Sequence, residues 1–269
     1  MKYGIIISVT TDIKEKLLGL NFKSFEEAFS IIKEMGYDGV DIFVEDISKL
    51  NISQIKELSK IYQLEINSLD TSSVYEKDSL FFSHDDEKIR KKAIEKIKKY
   101  ILAASELNSF VNLSLVRGNI YNDEKRKEYI ISSFKECCKY AEEYNVTLLI
   151  EPLNRYEIDC INTLQEANEF IEQIGYDNIK ILADLFHMNI EEKSIEASLF
   201  SFKEKIGHIH FADSTRKAPF KGHLNLSNIA EIIKLMDYDG FISLEAILKP
   251  KPLEVAKNAL IILKSVFSI

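Results

Sequence analysis

Short apolar segments and longer amphipathic segments alternate along the whole chain. Eight of the short segments are rich in β-branched residues and have the length of strands. They span residues 4–9, 39–44, 64–69, 110–116, 146–150, 179–183, 206–211 and 240–244. Each is followed by a stretch whose pattern is compatible with a helix. The sequence therefore predicts eight successive strand–helix units.

Two of the helical segments have a clear helical period. The first begins after Ser83 and Asp85, and its apolar stripe consists of Ile89, Ala93, Ile97, Ile101 and Ala104. The stripe of the second consists of Ile130, Phe134, Cys137, Cys138 and Ala141. We therefore expect both adjacent cysteines to be small buried hydrophobes without a redox role.

Regular alternation of strands and helices favours parallel strands joined by right-handed crossovers. Eight such units match the closed (β/α)₈ TIM barrel, an α/β fold that occupies about 250 residues. An open doubly wound sheet is the rival, but the glycine-rich first turn typical of it is missing. The chain has no linker and no change in composition, so we predict a single TIM-barrel domain over residues 1–269.

Composition excludes several classes of partner. The 35 Lys and Arg residues against 43 Asp and Glu residues leave a net charge of −8, which opposes nucleic-acid binding. No apolar run approaches the roughly 18 residues of a membrane span, and no signal peptide is recognisable. The three cysteines form no CxxC pair and suit a reducing compartment. We therefore predict a cytoplasmic protein with no nucleic-acid or membrane partner.

Four consecutive predicted strands carry an acidic or imidazole side chain at their carboxyl ends. Glu151, Asp184 and Glu245 follow strands five, six and eight, and His210 lies on strand seven. Active sites of TIM barrels are built at this end of the strands. His208 is two residues before His210 and one layer deeper, so we expect it to be a core histidine.

Three converging carboxylates repel one another and raise each other's pKa unless a cation lies between them. Three oxygen ligands and one nitrogen ligand, without a thiolate, favour a six-coordinate ion over a closed structural zinc site. We predict one divalent metal ion, Mn²⁺ in the first place and Mg²⁺ or Co²⁺ as alternatives. Its predicted ligands are Glu151, Asp184, His210 and Glu245.

These segments resemble the sugar isomerase/epimerase superfamily. The resemblance rests on residues 151–157 (EPLNRYE) with Asn162 and Thr163, residues 184–192 (DLFHMNIEE), residues 208–214 (HIHFADS) with Arg216, and Glu245. The pattern is similar to the D-tagatose 3-epimerase type. It is still more similar to the 5-keto-L-gluconate epimerase branch, because of residues 115–118 (LVRG) and 86–97.

The resemblance implies the same four metal ligands, and it implies that Glu157, His187 and Arg216 hold the substrate. It also implies a homodimer or homotetramer. One segment departs from the family pattern Ala-Pro-Gly-x-Gly-His, because this chain has Phe220 and Lys221 at the third and fourth positions.

The implied reaction is inversion of a hydroxyl-bearing carbon next to a ketone through an enediolate, which makes the protein an isomerase of the epimerase type. Glu151 and Glu245 are the predicted catalytic base and acid. A cluster of cations favours a keto sugar acid such as 5-keto-L-gluconate or D-tagaturonate as the substrate. Arg117, at the end of strand four, is predicted to bind it together with Arg216, with Lys217 and Lys221 nearby.

Four alternatives remain open at this point. A neutral ketose 3-epimerase of the D-tagatose/D-psicose type and an aldose-ketose isomerase share the fold and the carbonyl chemistry. A three-metal barrel that cleaves DNA at abasic sites needs more histidines than the five in this chain. A non-catalytic sugar sensor is the fourth alternative. The presence of every expected acid, base and metal ligand argues against it, because a sensor does not require them.

Overall fold

The computed structural model describes residues 1–10 and 18–267. Within these residues the sheet is made of nine strands, all parallel to their neighbours. The strands are β1 (Lys2–Val9), β2 (Leu20–Phe22), β3 (Gly39–Phe43), β4 (Glu65–Asp70), β5 (Phe110–Asn112), β6 (Leu148–Ile150), β7 (Ile179–Asp184), β8 (Ile206–Phe211) and β9 (Phe241–Leu244).

Eight of these strands close into a barrel in the order β1-β3-β4-β5-β6-β7-β8-β9, because β9 pairs back onto β1. The short strand β2 also pairs with β1. β9 pairs with Lys2–Ile5 and β2 with Ile7–Val9, in succession along the same strand. The predicted (β/α)₈ TIM barrel is therefore confirmed.

The helices follow the strands as the alternation predicts. They are α1 (Phe25–Met35), α2 (Ile52–Tyr62), α3 (Ser72–Glu76), α4 (Glu87–Leu107), α5 (Glu124–Glu143), α6 (Leu164–Ile174), α7 (Leu185–Glu191), α8 (Ile195–Ser201), α9 (Leu226–Leu235) and α10 (Pro252–Phe267). Three 3₁₀ turns lie at Ile47–Lys49, Leu115–Arg117 and Lys203–Lys205. No described helix has a stretch long and apolar enough to cross a membrane.

Local sequence signals explain where the helices begin and end. The Thr163 hydroxyl accepts a hydrogen bond from the Glu166 amide in a reciprocal capping box at the start of α6, and Gly175 ends that helix with φ 72°. Helix α4 begins one residue later than the Ser83 and Asp85 signals suggested, because Asp86 is its N-cap. Cys137 and Cys138 of α5 are buried, as predicted.

The structure differs from the predicted strands in two places. Strand β2 has three residues, too few to show a period in the sequence. The predicted strand 110–116 ends at Asn112, and the chain turns into the 3₁₀ turn Leu115–Arg117. The Arg117 guanidinium stabilises this turn by donating to the Ser114 carbonyl at 2.6 Å.

The outer surface of the barrel packs against the helices through one apolar core. The interior of the barrel contains buried polar side chains, among them Asp41, Asn67 and His208. Asp41 of β3 and His208 of β8 approach to 3.1 Å although β1 and β9 lie between their strands. This contact therefore crosses the barrel interior. His208 is fully buried, as expected of a core histidine.

Candidate active site

The four predicted metal ligands meet at the carboxyl end of the barrel. Glu151 directly follows β6, Asp184 ends β7, His210 lies in β8 and Glu245 directly follows β9. The backbone pairing places Asp184 opposite His210, and the Glu245 amide donates to the Phe211 carbonyl at 2.9 Å. One ligand atom from each of the four side chains lies within 4.8 Å of all the others.

Several observations at this cluster fit a bound cation. Glu151 Oε1 is buried and has no hydrogen-bond partner among the described residues. His210 turns Nδ1 toward the carboxylates, 3.1 Å from Glu245 Oε2 and 3.9 Å from Glu151 Oε1. The donor set of three carboxylates and one imidazole suits Mn²⁺, Mg²⁺ or Co²⁺. A candidate metal-binding site is therefore present, and it consists of the residues that the sequence singled out.

Burial and mutual repulsion perturb the acids of the cluster. Burial, the Glu245 charge and the Asp184 charge raise the pKa of Glu151 well above its usual value. Burial raises the pKa of Glu245 to about 7, against the opposing charges of Arg216 and His210. Burial, the largest single effect, also acts to raise the pKa of Asp184, but the Arg216, His187 and His210 charges together outweigh it and hold that pKa far below the usual value.

Arg216 neutralises part of the acidic cluster. Its Nη1 donates to Asp184 Oδ2 and its Nη2 to Glu245 Oε2, each at 2.6 Å, and the guanidinium lies over the Phe186 ring. The backbone of Arg216 has φ 58°, a conformation that costs energy for a residue with a side chain. The surrounding structure therefore holds this side chain against its own backbone preference.

His187 is a neutral imidazole with a defined tautomer. Burial lowers its pKa to about 3. The backbone N–H of Asn154 donates to His187 Nδ1 at 3.2 Å, so the ring proton is on Nε2. That nitrogen lies 4.0 Å from Glu151 Oε1 and 3.9 Å from Asp184 Oδ2. The Asn154 side chain also donates to Glu157 Oε1 at 2.8 Å and so links two of the predicted substrate contacts.

A cavity of about 680 Å³ opens above the cluster. Glu151, Glu157, His187, Arg216 and Glu245 all line it. The remaining wall comes mainly from the first four strands and their loops, and includes Ser8, Asn21, Glu45, Asp70, Ser72 and Glu76. A larger open depression of about 930 Å³ lies at the opposite end of the barrel, among the residues that precede the strands. None of the predicted site residues lines that depression.

Arg117 is not where the sequence prediction needs it. The side chain is fully buried and does not line the cavity. Its guanidinium donates to the backbone carbonyls of Ser114, Cys160 and Ile161. The predicted direct contact between Arg117 and substrate is therefore corrected, because the group holds loops together beside the site. Lys217 and Lys221 are exposed and also stand outside the cavity lining.

Sequence reasoning missed three polar residues that shape the site. Asn112 ends β5 and donates to Glu151 Oε2 at 3.0 Å, and Asp70 ends β4 in the cavity wall. Asn154 lies within the quoted motif but had no assigned role. The available signal was the position of Asn112 and Asp70 at the ends of apolar strands, which is where barrel sites are built.

The comparisons with known proteins identify the family of the chain. A family described as "Xylose isomerase-like TIM barrel" matches residues 29–266. The chain belongs to the xylose isomerase-like TIM barrel family. It is 27% identical over 256 residues to the D-psicose 3-epimerase of Enterocloster bolteae, covering 89% of this chain and 80% of that protein. It is 26% identical over 231 residues to the 3-dehydro-D-guloside 4-epimerase of Escherichia coli strain K12, covering 81% of this chain and 86% of that protein.

The solved structure of 3-keto-D-glucoside 4-epimerase from E. coli is similar to this fold, with a TM-score of 0.84 at 23% identity. The superposition covers 98% of this chain and 99% of the chain of that epimerase. Among the xylose isomerase-like barrels these relatives are named as epimerases, so the predicted superfamily, its epimerase type and an isomerase-class enzyme are confirmed. The finer resemblance to the 5-keto-L-gluconate epimerase stays a prediction. The cytoplasmic location, the homo-oligomer and the single domain over 1–269 also stay predictions.

The loop that departs from the family pattern keeps a backbone that suits glycine. Phe220 has φ 61° and is 63% exposed. We expect Phe220→Gly to stabilise the protein by about 1 kcal/mol, because the left-handed conformation costs a residue with a Cβ roughly 1–2 kcal/mol. Urea unfolding measures the change. Phe220→Ala retains the Cβ, so an equal gain in that variant would contradict the explanation.

The raised pKa values predict how the stability of the metal-free protein depends on pH. Glu245, with its pKa of about 7, and Glu151 bind more protons in the folded state than in the unfolded state, whose glutamates titrate near 4.3. Stability therefore falls as pH rises through that window. The lowered pKa values of His187 and His208 act in the opposite sense, chiefly below about pH 6.5, while the raised pKa of His210 adds to the fall above it. The fall is therefore clearest from pH 6.5 to 8.

We expect the Tm of metal-free protein to decrease from pH 6.5 to 8, and excess Mn²⁺ to remove most of the decrease. Glu245→Gln has one fewer titrating group and should show a shallower slope. Differential scanning calorimetry provides the comparison. A metal-free Tm that is flat or rises over this interval is incompatible with repulsion within the cluster.

Proposed function

We propose that this protein is a divalent-metal-dependent sugar epimerase that inverts the carbon next to the ketone of a ketose. The observation that supports this most directly is that Glu151 and Glu245 both line the cavity and both belong to the four-ligand cluster. A carboxylate held beside the reacting carbon is an effective proton-transfer group.

Glu151, Asp184, His210 and Glu245 would hold the ion, with Mn²⁺ as the first candidate and Mg²⁺ or Co²⁺ as the others. A bound divalent ion supplies positive charge that stabilises the enediolate formed when the carbon beside the ketone loses its proton. The ligand set contains three carboxylates and only one imidazole. Its net charge is therefore negative, as such an ion requires.

Glu151 and Glu245 exchange the proton. Inversion needs one group to remove the proton from one face of the carbon and another to return a proton to the opposite face. The two glutamates follow β6 and β9, which are three strands apart in the barrel. Asn112 donates to Glu151 Oε2 at 3.0 Å and so orients this carboxylate.

Three further residues bind and orient the sugar. His187 is neutral and carries its proton on Nε2, so it donates to a substrate oxygen. Glu157 lines the cavity and accepts from Asn154, which leaves its second oxygen to accept from a sugar hydroxyl. Arg216 orients Asp184 and Glu245 through its two short hydrogen bonds, and its position in the lining lets it contact the substrate.

The charge of the cavity favours a neutral ketose over the keto sugar acid predicted from the sequence. Arg216 is the only cation among the described lining residues, and it is already paired with Asp184 and Glu245. The same lining includes Glu45, Asp70, Glu76, Glu151, Glu157 and Glu245. A substrate carboxylate would meet net repulsion there. The relative named D-psicose 3-epimerase supports a ketose as well.

The decisive test of this function is incubation with a panel of ketoses, the matching keto sugar acids and aldoses in the presence of Mn²⁺. NMR of the products identifies which carbon has changed. We expect the C3 epimer of a neutral 2-ketose, with a higher kcat/KM than for the corresponding acid. A preference for the acid would return the substrate to the 5-keto-L-gluconate class. Aldose products alone would make the protein an aldose-ketose isomerase.

A further inference from the structure

A buried polar network lies beneath the cluster, inside the barrel. Its centre is Asp41 of β3, which is almost fully buried. Asp41 Oδ1 accepts from Ser68 Oγ at 2.5 Å and from Asn67 Nδ2 at 3.0 Å, and His208 Nε2 lies 3.1 Å away. The other oxygen, Oδ2, is buried and has no hydrogen-bond partner among the described residues. One oxygen is thus crowded with donors while the other has none.

The His210 ring lies between this network and the four-ligand cluster. Its Nδ1 faces Glu245 and Glu151, at 3.1 Å and 3.9 Å. Its Nε2 faces the opposite way, 3.9 Å from Asp41 Oδ1, and is buried without a partner among the described residues. One ring nitrogen of His210 therefore faces the four-ligand cluster, and the other faces the Asp41 network.

The unpaired atoms are complementary. A neutral imidazole that presents a lone pair at Nδ1 carries its proton at Nε2. Nε2 is then a buried donor without an acceptor, and Asp41 has a buried oxygen without a donor. Buried polar groups are strongly driven to pair. A histidine that ligates a metal commonly donates its second N–H to a carboxylate, which sets the tautomer and the ring orientation.

We propose that Asp41 is a positioning residue for the metal site: its carboxylate holds the His210 proton on Nε2 and so presents the Nδ1 lone pair to the ion. This inference rests on the proposed metal-dependent function. Asp41 acts through His210 and does not contact the sugar, because it is absent from the cavity lining. The network below it, from Ser68, Asn67 and His208, keeps the carboxylate in place.

The same three side chains, Asp41, His208 and His210, also lie close enough together to be considered as a second ion site. Asp41 Oδ1 already accepts from Ser68 and Asn67 and lies at hydrogen-bond distance from His208. The network therefore favours a hydrogen-bonding role. Metal stoichiometry distinguishes the two, because a second ion site would bind two ions per chain.

The test measures Mn²⁺ affinity, by the loss of the EPR signal of the free ion, in wild type and in Asp41→Asn. We expect the dissociation constant of the variant to rise about 10- to 100-fold, the usual cost of losing such a partner. Ser243→Ala is the matched control. Ser243 is buried in the same layer and contacts Asn67 at 3.4 Å, so its loss perturbs the network without removing the carboxylate. We expect its dissociation constant to stay well below the about 10-fold change that marks loss of an outer partner of a metal ligand.

Each other outcome has a definite meaning. If wild type binds no Mn²⁺, the proposed function fails. If wild type binds it and Asp41→Asn has the same dissociation constant, only the role of Asp41 fails. An equal weakening in Asp41→Asn and Ser243→Ala assigns the effect to general core damage and overturns the role. Two ions per wild-type chain, with one lost in Asp41→Asn, overturns it in favour of a second ion site.

A measurement on the wild-type protein covers the case in which Asp41→Asn does not fold. Ring ¹⁵N shifts of His210 in ¹⁵N-histidine-labelled, Mg²⁺-loaded protein report the tautomer directly. We expect a protonated Nε2 whose hydrogen is protected from exchange, and an Nδ1 shift that changes when the ion is removed. A proton on Nδ1, or an ion-dependent shift at Nε2, overturns the proposal.

Discussion

We expect removal of divalent cations to abolish turnover of the substrate found in the panel, and Mn²⁺ or Co²⁺ to restore it. The reason is the charge of the site. Glu151, Asp184 and Glu245 converge with their ligand atoms within 4.8 Å of one another and of His210. Without a cation, the negative charge that develops on the substrate oxygens faces three carboxylates, and the nearby Arg216 guanidinium is already bonded to Asp184 and Glu245.

The experiment uses dialysis against a chelator, and elemental analysis verifies that the preparation is metal-free. Adding back Mn²⁺, Co²⁺ and Mg²⁺ separately ranks the ions by kcat/KM. Circular dichroism of the metal-free protein shows whether the fold is intact, so that loss of activity is not confused with unfolding. Undiminished turnover in a verified metal-free preparation contradicts metal dependence.

Replacing either proton-transfer glutamate lowers kcat by at least roughly 10²-fold, the lower end for lost acid–base catalysis. We expect this for both Glu151→Gln and Glu245→Gln. The carboxamide has nearly the same shape and can still ligate a metal through its oxygen, but it does not exchange a proton at neutral pH. The KM should change much less than kcat, since the lost interaction is made mainly in the transition state.

Metal content is measured in each variant at the Mn²⁺ concentration of the assay, because loss of a charged ligand weakens metal binding. Glu204→Gln is the control for the chemical change itself. Its side chain is 86% exposed, next to Lys203 and outside the cavity. Wild-type kcat in a fully metal-loaded Glu151→Gln or Glu245→Gln enzyme would remove that residue from the proton transfer.

The barrel and the ligand cluster were predictable because they depend on regular patterns. Apolar strands of four to eight residues alternate with helical periods, and parallel strands in a closed barrel place their carboxyl ends at one rim. Glu151, Asp184, His210 and Glu245 could therefore be brought together without knowledge of any distance. Strand β2 was not predictable in this way, because three residues show no period.

Residues whose roles depend on tertiary contacts were harder to assign. Arg117 follows an apolar strand and looked like a ligand for a substrate carboxylate. Its actual partners are backbone carbonyls, two of which belong to the distant residues Cys160 and Ile161, and no side-chain pattern reveals a carbonyl. Asp41 was visible as a charged residue within an apolar strand, but its proximity to His210 depends on how β3 and β8 face each other across the barrel.

The most direct test of the account is the fate of the proton at the inverted carbon. The enzyme, loaded with Mn²⁺, is allowed to turn over its ketose in D₂O, and after removal of the ion the product is analysed by NMR and mass spectrometry. Proton removal by one glutamate and return by the other predicts one solvent deuterium, located on the epimerised carbon. A product that carries no solvent deuterium after many turnovers contradicts the account and indicates a hydride shift.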